Sequence, residues 1–439
     1  MEKEKIIQKV KSEKIEFIDL MFSDMFGHLK NVTISPRELK DCLDHGKWFD
    51  GSSIEGFTRI HESDMMLILD LSTYIPLPWP RNGKKVARII CDVYDPDNTP
   101  FVGDPRYVLK RIEEKAKKKG YFYNVGPELE FFLFKSKENR TYHDTAGYFD
   151  FAPQDFATNI RAVMASTLEK LGIKVEMSHH EVAPSQHEID IEYCGALEMA
   201  DRVMMLKQAI KTEANENGLH ATFMPKPIFG INGSGMHAHQ SIFSKNGENL
   251  FYDKKDKYKL SPLAYHFMGG QLKHIREITA VLCPTVNSYK RLVRGYEAPV
   301  YICWGQRNRS ALIRVPRYSE GREKSTRLEL RCPDPSCNPY LTFAVMLAAG
   351  LKGIEDKIEP SDPVEEDVYG FEDSKLAKFY IKTLPVNLGE AIEEFKRSKL
   401  MKEALGEHMF NKYLEVKTAE WTEFQRVVTD WEFKKYVSL

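Results

Sequence analysis

Apolar and polar residues follow two spacings along the chain, and the change from one to the other marks two domains. In the first hundred residues, short segments rich in β-favouring residues are separated by Gly, Pro and Asn; they are KIEFIDLMFSD, GHLKNVTIS, MMLILDLSTYIPLPWP and KVARIICDVYD. This pattern predicts a small, mostly β domain. Later segments alternate strand-like pieces with apolar residues at helical spacing, as in FATNIRAVMASTLEKLG, ALEMADRVMMLKQAIKTEANENG and PLAYHFMGGQLKHIREITAVL. We therefore expect an α+β protein with domains at residues 1–103 and 104–439.

The second domain is expected to begin with a helix. Asp104 suits the N-cap position, Pro105 the first helical position and Gly120 the position after the last turn. Asn338 and Pro339 predict another helix start, and the last fifty residues favour helices with charged faces. The acidic stretch 359–375 predicts a long exposed loop.

Composition narrows the classes of function. Lys plus Arg (63) nearly cancels Asp plus Glu (64) among 439 residues, which argues against nucleic-acid binding across the whole surface. No apolar run is long enough to cross a bilayer, and the charged N-terminal stretch lacks the apolar core of a secretory signal. Seven scattered cysteines without a CxxC pair predict reduced thiols. We expect a cytoplasmic protein with no membrane or nucleic-acid partner.

The strand-like segment YFYNVGPELEFFLF places two carboxylates on one face. Glu128 and Glu130 lie two apart, so both side chains point the same way, next to apolar residues. Two like charges in such surroundings are costly unless a cation or hydrogen-bond donors compensate. The segment therefore favours a metal site, and two glutamates at a solvated strand end are the alternative.

A second segment, KVEMSHHEVAPSQHEIDIEY, carries more carboxylates. Glu188 shares a face with Asp190 and Glu192, and a turn at residues 183–185 would bring Glu181 near Glu188. For Asp190 and Glu192 we expect a solvated acidic face.

A third segment, STRLELRCPDP, alternates charge with leucine. Arg327, Glu329 and Arg331 share a face, which fits either surface pairs across strands or a cation held between anions.

In GINGSGMHAHQSIF, an extended chain would place His237, His239 and Ser241 on one face behind a glycine-rich turn. The four segments together offer five glutamates and one histidine, a set that suits two Mg²⁺ or Mn²⁺ ions better than zinc. Paired divalent ions between carboxylates are typical of phosphoryl transfer.

Arginines are concentrated in residues 287–317. They are Arg291, Arg294, Arg307, Arg309, Arg314 and Arg317. Guanidinium groups match carboxylate and phosphate oxygens, although Arg294, Arg307 and Arg317 also fit an ordinary surface. The sequence has no Walker A motif, kinase glycine-rich loop or GxGxxG, so a nucleotide would be held by metals and arginines.

Blocks along nearly the whole chain resemble, in order and spacing, those of type I glutamine synthetase. They are FDGSSIEGF, ESDM, GPELEFFLF, HHEVAPSQHEID, NGSGMHAHQS, KRLVRGYEAPV, NRSALIRVP and LELRCPDPSCNPY. The resemblance implies a small N-terminal β-grasp domain and a larger catalytic domain with a curved antiparallel sheet flanked by helices. It also implies a homododecamer of two stacked hexameric rings with active sites between subunits. The implied reaction, in nitrogen assimilation, joins ammonia to L-glutamate with ATP, through γ-glutamyl phosphate, to give L-glutamine, ADP and phosphate.

The same resemblance implies roles for individual residues. One metal would be bound by Glu130, Glu181 and Glu188, and the other by Glu128, His237 and Glu329. ATP would contact Glu176, His239, Ser241, Arg314 and Arg327. Glutamate would contact Asn232, Gly233, Arg291 and Arg331. The implied catalytic residues are Arg309 facing the transferred phosphoryl group, Glu297 in a flap over the intermediate, and Asp50 of the adjacent subunit deprotonating ammonium.

Some positions depart from the family pattern or refine it. Arg294 stands where the family usually has proline, and Ser185 where glycine is common. ESDM and FTRI resemble the alpha subgroup, in which Arg59 corresponds to an arginine linked to feedback inhibition by glutamine. Tyr369 lies near the place of the beta subgroup's adenylylation loop, but its context differs, so we expect no adenylylation.

Partners and rival functions complete the expectations. A nitrogen-regulatory protein is a further class of partner that we expect. The alternatives are a γ-glutamyl ligase for a larger amine, such as a polyamine, a non-catalytic structural or regulatory relative, and a guanidino kinase, which shares the catalytic architecture but would lack the β-grasp domain. The first would be expected to alter DGSS and YEAP, and the second tolerates loss of metal ligands; both motifs and all six ligands are present.

Overall fold

The computed structural model describes residues 3–54, 56 and 64–439. The N-terminal domain contains α1 (Lys3–Ser12), β1 (Phe17–Ser23), β2 (Leu29–Ile34), α2 (Leu39–His45), β3 (Lys47–Asp50), β4 (Asp64–Leu69), β5 (Ile75–Pro76) and β6 (Val86–Tyr94). Its sheet has the order β2-β1-β6-β4-β3, and β5 also pairs with β6. β1 and β6 run parallel, whereas the other pairs are antiparallel. This is the small β-grasp domain that the sequence predicted.

The helix α1 belongs to the core of this domain. Ile6 and Val10 lie one helical turn apart and are buried in the same apolar cluster as Ile18 and Leu20 of β1. The sequence predicted β1, β2, β4 and β6, but not α1, α2 or β3. Most residues of α1 are charged or polar. Its few apolar residues were too few to predict a helix from the sequence.

The second domain is built on a second sheet. Its strands are β7 (Phe122–Phe134), β8 (Val175–His180), β9 (Gln186–Ile191), β10 (Cys194–Gly195), β11 (His220–Thr222), β12 (Met236–Phe243), β13 (Tyr301–Gly305), β14 (Ala311–Arg314) and β15 (Leu328–Leu330). The order is β13-β14-β15-β12-β7-β9-β8, with β10 and β11 also paired to β7. All pairs are antiparallel except β13–β14, which is parallel. The long strand β7 therefore lies at the centre of the domain.

Helices flank this sheet. They are α3 (Pro105–Lys118), α4 (Thr158–Lys170), α5 (Ala196–Glu216), α6 (Pro262–Leu282), α7 (Ser288–Arg291), α8 (Pro339–Asp356), α9 (Asp373–Lys378), α10 (Leu388–Arg397), α11 (Lys399–Leu405), α12 (Glu407–Phe424) and α13 (Asp430–Tyr436). The predicted start of α3 is confirmed, because Asp104 Oδ1 accepts the N–H of Arg106 at 2.9 Å. The predicted start of α8 is confirmed by Asn338, whose Oδ1 accepts the N–H of Tyr340 at 3.0 Å. In the described part of the chain, no helix is long and apolar enough to span a membrane.

A buried arginine ties the two domains together. The Arg106 guanidinium reaches Asp70 at 2.7 Å and Asp92 at 2.6 Å in the N-terminal domain, and Asp201 of α5 at 2.9 Å. Asn338 adds a second link, since its Nδ2 donates to the carbonyl of Asp24 at 3.1 Å. The N-terminal domain is therefore fixed against the helices of the second domain.

The acidic stretch 359–375 is not simply an exposed loop. Val364, Val368 and Phe371 are buried in the main core. Trp304 Nε1 also donates to the carbonyl of Ser361 at 2.6 Å. The few apolar residues of this stretch pack into the core. The acidic composition of the stretch did not predict that packing.

Candidate active site

Strand register brings the predicted carboxylates onto one face of the sheet. Across the β7–β9 pair, Glu128 lies opposite Asp190 and Glu130 opposite Glu188. On the other side of β7, His237 of β12 lies opposite Glu128. Residues opposite each other on neighbouring strands have adjacent side chains. Antiparallel pairing thus collects residues that are distant in sequence.

One predicted metal-ligand set is tightly grouped. Ligand atoms of Glu128, His237 and Glu329 all lie within 4.8 Å of one another. His237 Nδ1 is 3.1 Å from a Glu128 oxygen and 3.7 Å from a Glu329 oxygen. Burial raises the pKa of Glu128, but hydrogen bonds with His237 and His239 outweigh burial and lower it.

The second predicted set lines the same cleft but is less tightly grouped. Glu130, Glu181 and Glu188 all face it. Burial, and next the charge of Glu181, raise the pKa of Glu130 to about 8. Burial, and next the charge of Glu130, raise the pKa of Glu188 well above its ordinary value. Burial and neighbouring negative charge therefore raise the pKa values of Glu130 and Glu188, and a bound cation would lower them.

His179 is a cleft residue that the sequence reasoning missed. Its Nε2 lies 3.0 Å from a Glu188 oxygen, and its ligand atom groups with those of Glu188 and Asp190. His179 precedes Glu181 by two positions, so strand alternation would have placed both on one face.

Asp190 and Glu192 differ, although the sequence assigned both to a solvated face. Glu192 is solvated and pairs with Lys174 at 2.8 Å. Asp190 is buried, and burial followed by the charges of Glu188 and Glu128 raises its pKa to about 9. The prediction for Asp190 is wrong because alternation identifies the face of a strand but not what covers it.

Two predicted arginines hold Glu329 from either side. Arg314 Nε donates to Glu329 Oε2, and Arg331 Nε donates to Glu329 Oε1 at 3.1 Å. Burial raises the pKa of Glu329, but the charges of His239 and Arg331 outweigh burial and lower it. Arg309 lines the same cleft.

The predicted glutamate-binding residues also converge on this cleft, a cavity of about 240 Å³. They are Asn232, Gly233, Arg291 and Arg331, and the flap residue Glu297 lines the cavity with them. Arg291 donates to the carbonyls of Cys332 at 2.8 Å and Arg331 at 3.1 Å. A Cβ on Gly233 would lie 2.3 Å from the carbonyl oxygen of Pro225, so backbone packing requires glycine there.

A second cavity, of about 360 Å³, adjoins the cleft and shares Glu128 with it. It is lined by the other predicted nucleotide contacts, Glu176, His239, Ser241 and Arg327. Arg327 Nε donates to His239 Nδ1 at 3.1 Å, and His239 Nε2 lies 2.6 Å from a Glu128 oxygen. His239 thus links the basic side of this cavity to the acidic cleft.

One predicted site residue is not in either cavity, and another lies outside the described residues. Asp50 lies exposed at the end of β3 in the N-terminal domain, where its carboxylate accepts the N–H of Ser52 at 2.8 Å and has a pKa lowered by that bond. Arg59 lies outside the described residues.

The departures from the family pattern have local explanations. Ser185 has a left-handed backbone with φ of +62°, the conformation that favours glycine. Its N–H donates to Asp144 at 3.0 Å, which offsets that cost. Arg294 lies over the ring of Tyr301 at 5.2 Å. The Tyr369 hydroxyl donates to the carbonyl of Ala298 at 2.5 Å, so this hydroxyl already has a hydrogen-bond partner within the chain.

The donor set fits divalent cations. Carboxylates outnumber the imidazoles of His179 and His237 in the cleft, and hard cations such as Mg²⁺ and Mn²⁺ prefer such oxygen-rich sites. With arginines beside it and Arg322, Lys324 and Arg327 in the adjoining cavity, this cleft is typical of metal-dependent enzymes that act on anionic, phosphate-bearing substrates.

Comparison with known proteins identifies the family. Residues 14–96 match the glutamine synthetase β-grasp domain and residues 102–436 the glutamine synthetase catalytic domain. The chain is 52% identical to a glutamine synthetase of Methanosarcina mazei over 100% of this chain and 98% of that protein. It is 51% identical to one of Thermotoga maritima, covering 99% of both. A solved GmaS/ADP complex superposes with a TM-score of 0.91 at 32% identity, covering 99% of both chains. The chain belongs to the glutamine synthetase family.

Proposed function

We propose that this chain catalyses the ATP-dependent ligation of ammonia to the γ-carboxylate of L-glutamate, giving L-glutamine, ADP and phosphate. Family profiles over both domains and full-length relatives at 52% and 51% identity support this activity. The proposal rests on one structural observation. Glu128 lines both cavities, and it therefore joins them into one site.

The cleft is proposed to bind two Mg²⁺ or Mn²⁺ ions. One set of ligands is Glu130, Glu181 and Glu188, and the other is Glu128, His237 and Glu329. When bound, such ions supply positive charge to the oxygens of the transferred phosphoryl group. The raised pKa values of the first set and the close grouping of the second support this assignment.

The chain's own residues bring anions together and exclude water. ATP is proposed to contact Glu176, His239, Ser241, Arg314 and Arg327, and glutamate to contact Asn232, Gly233, Arg291 and Arg331. A γ-carboxylate oxygen of glutamate then attacks the γ-phosphorus of ATP, ADP leaves, and Arg309 stabilises the charge on the transferred group.

The second step forms the amide bond. Ammonium has no lone pair, so it must lose a proton before nitrogen attacks the carbonyl carbon of γ-glutamyl phosphate and phosphate leaves. Glu297 lines the cleft and is proposed to hold ammonium and shield the intermediate. Asp50, exposed on the N-terminal domain, is proposed to accept the proton in the cleft of an adjacent subunit.

Assembly as a homododecamer of two stacked hexameric rings would explain two exposed features. Asp50 lies outside the cavities of its own chain. The C-terminal segment exposes Val428, Trp431, Phe433 and Val437, with 75%, 64%, 63% and 60% of each accessible. Clustered exposed apolar residues mark contact surfaces.

Finer assignments belong to the same proposal. We place the chain in the type I alpha subgroup, with the domain boundary between residues 103 and 104 and a cytoplasmic location. Feedback inhibition by glutamine through Arg59 and binding of a nitrogen-regulatory protein are proposed with it.

The decisive experiment measures phosphate release from ATP and glutamate with ammonium, with a bulkier amine and with neither. We expect phosphate and glutamine in equal amounts with ammonium. A strong preference for the bulkier amine would instead assign the chain to γ-glutamyl ligases for larger amines, and absence of turnover in every arm would indicate a non-catalytic relative.

A further inference from the structure

A buried lysine lies between two segments that border the cleft. We define the flap as residues 292–298 and the pocket loop as residues 225–235. The Nζ atom of Lys226, in the pocket loop, lies 3.9 Å from the centroid of the Tyr296 ring in the flap. The same ammonium group donates a hydrogen bond to the carbonyl of Ile231. One side chain therefore contacts both segments.

The backbone of Lys226 is held in place by Asn287. Its N–H donates to Asn287 Oδ1 at 2.7 Å, and Asn287 Nδ2 donates to its carbonyl at 3.0 Å. Asn287 directly precedes α7, the short helix that carries Arg291. Ser234 N–H also donates to the carbonyl of Pro225 at 2.8 Å. The ammonium group therefore projects from a fixed backbone beside the proposed glutamate pocket.

The ammonium group of Lys226 makes a cation–π contact with the Tyr296 ring and donates a hydrogen bond to the Ile231 carbonyl. Neither of these two groups is a carboxylate. Burial, and next the charge of Arg291, lower its pKa. A cation over an aromatic ring interacts more strongly when it is shielded from water.

The flap is fixed on either side of Glu297. Tyr296 contacts Lys226, and the carbonyl of Ala298 accepts the hydroxyl of Tyr369 at 2.5 Å. Between them, Glu297 has a left-handed backbone with φ of +55°, a costly conformation for a residue with a side chain. Two flanking contacts are thus available to hold this turn in place.

We propose that Lys226 is a positioning residue that holds the flap over the glutamate pocket through Tyr296. The inference rests on the proposed function, because it assigns a role in shielding γ-glutamyl phosphate. If the flap opens, water replaces ammonia as the nucleophile, and the intermediate yields glutamate and phosphate instead of glutamine.

The test compares Lys226→Met, Tyr296→Leu and the double variant in the assembled enzyme. Each single variant is expected to raise KM for glutamate by about tenfold, as loss of a shielded cation–π contact predicts. Each is also expected to release more phosphate than glutamine. The double variant should resemble the singles, because both remove the same contact. Lys226→Arg keeps a cation over the ring and should restore a phosphate-to-glutamine ratio near that of the wild type.

A matched control separates this role from general stability. Lys375 lies 3.8 Å from the centroid of the Phe371 ring, away from both cavities, so Lys375→Met should leave KM and the product ratio unchanged. Additive effects in the double variant, or a wild-type product ratio in Tyr296→Leu, would overturn the proposal. Failure of the wild-type enzyme to form glutamine would instead overturn the proposed function.

Discussion

Two groups of buried carboxylates in this chain differ in how their charge is balanced. At the domain junction, three aspartates surround the guanidinium of Arg106. Burial raises the pKa of Asp70 there, but hydrogen bonds from Ser72 and Arg106 outweigh burial and lower it. In the cleft, burial and neighbouring carboxylates raise the pKa of Glu130 to about 8, and in the adjoining cavity they raise that of Asp190 to about 9.

The comparison separates a structural ion cluster from a functional one. At the junction the chain itself supplies cations, because each of the three aspartates contacts Arg106 and Asp92 also contacts Lys110 at 2.5 Å. The cleft gathers glutamates without an equal number of cations, and its raised pKa values record that imbalance. Perturbed groups in a cleft are candidates for function, and here they favour binding of divalent ions.

The largest effect is expected from Glu329→Ala. This carboxylate belongs to the tight ligand group and is held by two arginines, so its loss disturbs both cation binding and arginine placement. We expect kcat to fall about a thousandfold or more, corresponding to several kcal/mol of lost transition-state stabilisation. Assembly should be intact by size-exclusion chromatography. Glu114→Ala, which removes an exposed carboxylate from α3, is the control, and wild-type turnover in Glu329→Ala would contradict the assignment.

The next largest effect is expected from Arg106→Met at the junction. Its removal leaves buried aspartates without their cation, which costs about 3–5 kcal/mol of unfolding free energy. Denaturant unfolding of the variant measures this loss. Arg202→Met removes an arginine that pairs with exposed Glu198 on α5 at 2.6 Å, and we expect a cost of about 0.5 kcal/mol there. Equal losses of unfolding free energy in the two variants would contradict the predicted difference between the buried junction and the exposed surface pair.

A smaller effect is expected when divalent ions are added to the wild-type protein. At about 100 times the dissociation constant, binding adds about 2.7 kcal/mol to the unfolding free energy. Thermal unfolding with Mg²⁺ or Mn²⁺ and then with chelator checks this. Glu188→Gln should weaken the response, whereas Glu192→Gln, just beyond the end of β9, should keep it in full. An undiminished response in Glu188→Gln would contradict the proposed ligand set.

The last prediction concerns pH and Asp104, the buried cap of α3. Burial, and next the charge of Asp92, raise its pKa from 3.8 to about 7. A raised folded-state pKa means that the folded protein binds more protons between these values, so stability falls as pH rises through them. Wild type should therefore lose stability relative to Asp104→Asn between about pH 4 and pH 7, because asparagine caps equally well without titrating. Parallel unfolding free energies of the two proteins across this range would contradict the shift.

Much of the site was accessible from strand alternation alone. It placed Glu128 with Glu130, and His237 with His239, on common faces. It did not give the strand order, because β15 has only three residues and its neighbour β12 is distant in sequence. Alternation also misjudged Asp190, whose face is covered in the folded chain. Local sequence therefore predicted side-chain direction, whereas long-range pairing determined proximity and burial.

The arginine at the domain junction has a consequence for any attempt to separate the two domains. The predicted metal ligands all follow residue 104, so a shortened chain starting there would keep every one of them. It would lose Asp70 and Asp92, however, and Arg106 would keep only Asp201 as a carboxylate partner. Met21 and Met25 would also leave the main core. Removal of the first domain is therefore expected to give an insoluble fragment, even though that fragment would contain all six predicted metal ligands.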